Sequence, residues 1–393
     1  KRLPYGMDDQ WMVFSHYTER GWTVDNLWHI FTDFYGGQYA PLAFLSYLVL
    51  YAGFGYDPFY FHMFSLLLHI GCVCLVWKLI SSLLRVHGGV SEKQILYVNF
   101  ITTLLFAVHP INVEAVAWIS ALKVLLYAFF YLLGLLCYLR YIRTSKIFYY
   151  VLTIGCFLCS FWGKEQAVTF PLALLIVDWF TNRNMKNLEV WSEKMSFLIM
   201  AFFFGIITVL SQGKGPYEMI FPLYQRLLFG CFALVEYITK SLLPVNLNFF
   251  YPFPIVLGEE PPLHYYLYPV VLLFLMGWII AYRNNRYLVF GVLLFLVNLL
   301  FSIHLFNMSR HAIVADRYMY LSYVGIAFLI ANGIWWLRKR LSYFKAALVF
   351  LFFYCFFLSV YTFHYTKKWE NTTMVKKYTK EVLEKRLNGS NHL

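Results

Sequence analysis

Residues 101–126, ITTLLFAVHPINVEAVAWISALKVLL, join two apolar runs through a short link that carries His109, Pro110, Asn112 and Glu114. A hydrocarbon core can neither satisfy an open backbone nor hydrate a charge. A polar break between apolar helices therefore belongs at a membrane surface or in a cavity lined by protein. A histidine, a carboxylate and Trp118 at one such break point to a site facing one side of a membrane.

The break is one of many. Apolar runs suited to spanning lie near 58–84, 95–108, 121–142, 147–162, 166–181, 196–211, 226–243, 265–282, 287–305, 318–337 and 344–363. The chain is 61% hydrophobic and only 13% charged, where a soluble domain carries about 25% charge. These features predict an all-α polytopic membrane protein with a bundle of roughly 10–12 transmembrane helices, outer-face loops and interfacial helices. The net charge of +12 does not imply nucleic acid, because the basic residues cluster in short loops between the runs. The seven cysteines all lie inside apolar segments. Cys72 with Cys74 and Cys156 with Cys159 lack a second pair or histidines, so buried free thiols are the reading.

Basic loops set the orientation. Arg140, Arg143 and Lys146 form one; Arg183, Lys186 and Lys194 a second; Arg283 and Arg286 a third; Arg338, Lys339, Arg340 and Lys345 a fourth. All four are expected in the cytoplasm. The opposite side then receives 1–57, 109–120, 163–166, 212–225, 244–264 and 306–317, with most of the acids. Segments 196–211 and 226–243 cannot both cross without placing 244–264 on the wrong side. The reading is that 226–243 lies along the outer surface or doubles back. Residues 40–55 read as an interfacial or half-inserted helix. The chain thus divides into a first outer loop (1–57), the bundle (58–363) and a basic, weakly helical outer-side tail (364–393).

Three groups could carry chemistry. Asp8 and Asp9 are adjacent carboxylates; mutual repulsion raises one pKa, which suits a general base or metal ligand. A solvated helix-end pair remains an equal alternative. The outer side also gathers His109, Glu114, Lys164, Glu165, Arg310, His311, Asp316 and Arg317. Cations at a membrane surface suit a phosphate, which arginine holds bidentately; snorkelling and local ion pairing are the plainer alternative. The aromatic loops YPFP (251–254) and EEPPLHYY (259–266) read as interfacial belts before sugar-stacking platforms. Asp178, at the cytoplasmic end of its run, reads as structural.

The order of segments is also familiar. An early DD, FHMFSLLLH, FAVHPINVEAVAWIS, GKEQAVTFPLALLIVDW, RLLFGCFALVEYITKSLLPVNLNFFYPFP and ADRYMYLSYVG together resemble, over roughly residues 5–370, bacterial relatives of the transmembrane-and-tetratricopeptide-repeat O-mannosyltransferases. The resemblance implies a GT-C fold, an active site on the outer face, a polyprenyl-phosphate-linked sugar as donor, and one more helix before Lys1. It implies that Asp9, or else Asp8, is the base that deprotonates the acceptor hydroxyl. His109, Glu114, Lys164, Glu165, Asp316 and Arg317 would build the donor-phosphate and acceptor pocket. Ala40 stands where the family usually has arginine, and ALKV where it has a charged run, leaving Lys123 as the remaining cation. The tail KKWENTTMVKKYTKEVLEKR stops short of a tetratricopeptide repeat.

Two functions follow as expectations. One is a membrane glycosyltransferase that moves a sugar from a polyprenyl-phosphate donor to a Ser/Thr hydroxyl of an exported protein, or to a glycan, with inversion. Its place would be a bacterial inner membrane, active face towards the periplasm. No cofactor is required by that scheme, although paired carboxylates could recruit Mg²⁺ or Mn²⁺. The other is a non-catalytic scaffold or lipid-binding subunit of an envelope protein complex that keeps the same fold. A transporter would need internal repeats, which the sequence does not display.

Overall fold

A computed structural model describes residues 8–212, 221–305 and 312–390. Among them every regular element is helical, and the only pairings of extended backbone are isolated bridges, Tyr35 with Gln38 and Tyr251 with Val314. The first loop holds α1 (Asp9–Met12), α2 (His16–Glu19) and α3 (Val24–Thr32), and α4 (Pro41–Phe54) follows. Then come α5 (Pro58–His87), α6 (Glu92–Val108), α7 (Val113–Ala117), α8 (Leu122–Thr144), α9 (Ile147–Gly163), α10 (Phe170–Phe180) and α11 (Leu188–Gln212). The second half contains α12 (Leu223–Leu242), α13 (Leu267–Ala281), α14 (Arg286–Leu299), α15 (Met319–Leu337), α16 (Leu341–Thr366) and α17 (Thr372–Ser390).

Local chemistry sets these boundaries. Asp57 opens α5 by accepting from the Phe59 amide at 3.0 Å, with Pro58 in the first turn where its missing N–H costs nothing. Ser91 caps α6 and Asn285 caps α14 in the same way. The α6 helix stops at His109, which precedes Pro110 and is held extended. The chain bends by 50° there before Pro110–Ala117 continues.

Six helical segments are long and apolar enough to cross a membrane: Pro58–His87, Ile119–Thr144, Leu188–Ser211, Leu263–Ala281, Asp316–Leu337 and Leu341–Trp369. The bent pair Glu92–Val108 and Pro110–Ala117 makes a seventh if counted as one span, and α4, α9 and α14 are shorter apolar helices. The core forms where α8 packs on α9 and α5, and α15 on α14 and α6. Glycines permit the closest crossings. A Cβ on Gly325 would lie 2.5 Å from the Gly291 carbonyl, and one on Gly163 would lie 2.7 Å from the Tyr127 amide. Small residues let helix backbones meet where no hydrophobic force distinguishes helix from lipid.

The molecule has two distinct ends. At one, His87 takes the Phe180 carbonyl at 2.7 Å, Arg286 reaches the Trp179 carbonyl at 3.1 Å, and Arg183 pairs with Glu193 at 2.6 Å. This is the end of the basic loops. The other end carries the link at 109–121, the first loop and the start of α15.

Helix α12 stays at that second end. Gln225 bonds the Glu259 carbonyl at 2.9 Å, Gly230 abuts the Ile303 carbonyl, Tyr237 accepts from the Ala315 amide at 3.2 Å, and Lys240 lies 3.6 Å from Asp316. The helix is not among those apolar enough to cross, in keeping with the reading of 226–243. Helix α4, a shorter apolar helix, buries Phe44, Tyr47 and Leu48 among α2, α8 and α9. The last part of the tail is the regular helix α17, whose Val375 and Tyr378 pack with Trp118, Leu247, Tyr365 and Trp369.

Candidate functional site

Asp9 lies at the start of α1, only 4% exposed. Its Oδ1 accepts the Ser120 amide at 3.1 Å and the Ser120 hydroxyl. Ser120 sits on the 3₁₀ turn Ile119–Ala121 that closes the polar link. The first loop is thereby tied to the link across 111 residues of sequence. Burial pushes the Asp9 carboxyl up to about 6, with Ser120 pulling it back and neighbouring Asp8 adding to the rise. A carboxylate in that range is ionised at neutral pH yet more basic than an exposed one, as a general base requires.

Beside it stands a buried ion pair. Arg317 Nη1 meets Glu114 Oε1 at 2.5 Å, and the Arg317 amide donates to Glu114 Oε2 at 2.7 Å. Both carboxylate oxygens are thus committed, and Glu114 is fully buried. The guanidinium lies between two rings, 5.4 Å from Trp118 and 5.2 Å from Tyr318. Lys164 approaches the same Tyr318 ring, its Nζ 4.7 Å from the centroid. Lys123 donates to Gln38 and feels the charges of Glu165, Asp8 and Arg317. The structure therefore brings together Asp8, Asp9, Glu114, Lys123, Lys164, Glu165 and Arg317 at one end of the bundle.

Three candidates stand elsewhere or outside. The first is His109: its Nδ1 accepts the Ile111 amide at 3.2 Å and its ring packs on Tyr323 at 4.2 Å, so it caps the turn it precedes. Asp316 is the second. It turns from Arg317 to a separate nest, where Tyr251 donates to both its oxygens at 3.0 Å and the Asn248 amide to one at 3.2 Å. Lys240 bonds the same Tyr251 hydroxyl at 2.6 Å. Arg310 lies outside the described residues, as does His311. For a metal, Asp8 and Asp9 have no third partner: among the described residues no three His, Cys, Asp or Glu side chains gather. At the far end Asp178 is bound by Tyr138 at 2.8 Å, by Arg183 at 3.2 Å and by Lys194, and Glu193 pairs with both cations, so the four charges make a neutral structural knot.

Sequence reasoning passed over Ser120, Gln38 and Tyr318. A signal for Gln38 existed. Gly36 and Gly37 both adopt positive φ, a turn shape that glycine pairs favour, and it brings Gln38 back to Tyr35 and towards Lys123. Gly36 also abuts the Trp11 ring of α1, which a side chain there would strike at 2.7 Å.

Fold and site together define a polytopic helical membrane protein with a buried carboxylate and a cluster of cations at one end. Comparison of sequences adds a distant relation to proteins named protein O-mannosyl-transferase. The mouse TMTC2 protein of that name is 32% identical over 189 residues, 44% of this chain and 21% of its own length. The human TMTC2 protein is 33% identical over 189 residues, with 44% and 21% covered. The fruit-fly protein Tmtc3 is 28% identical over 172 residues, 39% of this chain and 18% of its own. The match thus spans about a fifth of the length of these relatives. No family model and no solved structure matches.

Proposed function

We propose that the chain is a membrane glycosyltransferase of GT-C type that moves a sugar from a polyprenyl-phosphate donor to a hydroxyl acceptor. The acceptor is a Ser/Thr of an exported protein or a glycan. The observation that carries this is Asp9: a buried carboxyl pushed up to about 6, whose neighbour Asp8 lies within reach of the charges of Lys123 and Arg317. In this scheme Asp9 takes the acceptor's proton as its oxygen attacks the anomeric carbon. The bond from that carbon to phosphate oxygen breaks, and the configuration inverts. Lys164 and Lys123, with the partly exposed Arg317 beside them, stabilise the departing phosphate in a poorly hydrated site. No metal is assigned a step. Mannose is the first donor to try, given the names of the relatives. The site would face the outer side, the periplasm if the membrane is a bacterial inner membrane.

The test uses membranes carrying wild-type protein or Asp9→Asn, supplied with polyprenyl-phosphate [³H]mannose and Ser/Thr peptides. Label transfer that falls by about 10²–10⁴-fold in the variant supports the reading. Transfer that is absent from both, or equal in both, moves the assignment to the scaffold role. That role draws on the way Glu114 already neutralises Arg317.

A further inference from the structure

A groove of about 450 Å³ runs between α17 and the segment before the YPFP loop, lined by Phe249, Phe250, Lys376, Thr379, Lys380 and Leu383, with Glu384 at its edge. Its volume falls within the ~300–1,000 Å³ of ordinary ligand sites. We propose that this groove seats an extended acidic peptide, and that this peptide is the acceptor strand. The second half rests on the transferase reading; the first does not.

Three observations carry it. The first is continuity with the candidate site. Phe249 meets Trp118 edge-on at 5.1 Å, and the Arg317 guanidinium lies 5.4 Å from the same indole. One indole separates groove from cation cluster. The second is charge. Lys376 and Lys380, one turn apart and both exposed, rim the apolar floor. Over residues 367–384, Lys367, Lys368, Lys376, Lys377 and Lys380 outnumber Glu370, Glu381 and Glu384. The groove's own carboxylate, Glu384, is only 3.8 Å from Lys380 in an exposed pair of little strength. The third decides between a peptide and a lipid surface. A helix that lies in a headgroup layer keeps an apolar face free for lipid. In α17 that face is taken: Val375 and Val382 are buried, and Thr379 bonds Asn248 at 2.8 Å.

The test is fluorescence polarisation on the full chain in nanodiscs of zwitterionic lipid. The probe is a short labelled peptide alternating glutamate with threonine and valine; its lysine counterpart is the control. The acidic probe should bind, and Lys376→Glu with Lys380→Glu should weaken it by about ten-fold. The same variant should gain affinity for the lysine probe, which a misfolded protein would not do. Equal binding of both probes, or no change in the double variant, overturns the groove. So does loss of the lysine effect for peptide together with its appearance for anionic-lipid nanodiscs. If peptide binds as described but no sugar is transferred, the groove stands and the transferase reading falls.

Discussion

Asp9 and Ser120 show what a single side chain can fix at this site. Desolvation raises the Asp9 carboxyl to about 6 from its ordinary 3.8, so the folded state holds a proton there that the unfolded chain releases. The stability cost of the buried charge is therefore nil below about 4 and complete above about 6, about 3 kcal/mol at neutral pH. Asp9→Asn should lose transfer yet melt no lower than wild type at pH 7.5, as thermal-shift in detergent would measure. In the wild type, transfer should rise as pH passes through about 6 and then level. Ser120→Ala removes a donor to the ionised form and should move that rise upward by about half a unit to one unit; an unmoved profile would detach Asp9 from the chemistry. Glu114→Ala leaves Arg317 buried without its partner and should destabilise by roughly 3–5 kcal/mol, read as lowered melting temperature and membrane level. The carboxylate pair was legible in the sequence because DD is short and local. Ser120 was not, because a serine 111 residues away acquires meaning only when α1 folds onto the link. The turn-capping use of His109 was hidden too: a histidine before proline can serve a local turn as well as a longer-range site, and the sequence does not separate the two.

At the scale of helices, the crossings explain how the cluster is held. Gly325 lies on α15, two turns beyond Arg317, and its backbone meets that of Gly291 on α14. Gly163 ends α9 one residue before Lys164, against the backbone of Tyr127. Gly325→Ala and Gly163→Ala should each cost about 1–3 kcal/mol through overpacking. The second should also impair transfer disproportionately, because it displaces Lys164; equal effects on stability and transfer in both variants would show that the crossings only hold the fold. The helical runs themselves were readable from apolar length, since lipid allows few alternatives. Loop charge parity predicts that α12 does not cross, and its Gln225, Glu236 and Lys240 leave it outside the helices apolar enough to do so. The order in α17 was less visible, because its apolar face is only Val375, Tyr378 and Val382 and gains sense from Trp118 and Leu247 beneath it.

For the whole molecule, sidedness is the property to measure. Lys146→Cys and Lys380→Cys should react with a membrane-impermeant maleimide from opposite sides of sealed vesicles. Labelling of both from one side would break the assignment of ends. Among the described residues six helical segments, or seven with the bent pair, are long and apolar enough to run between two membrane faces. Helix α17 packs with Trp118 and Leu247, so its lysines finish at the end that holds the polar link. That has a consequence for synthesis. With that end on the outer side, as proposed, translocation of Lys367, Lys368, Lys376, Lys377 and Lys380 would run against the usual bias that retains positive charge. The passage would then be driven by α16, whose exposed Phe350, Phe352, Phe353, Phe356 and Phe363 favour lipid, and held by the basic loop at 338–345. Neutralising Arg338, Lys339, Arg340 and Lys345 would leave the tail's own charge as the stronger vote, and a fraction of newly made chains would strand α17 on the wrong side, away from the site it covers.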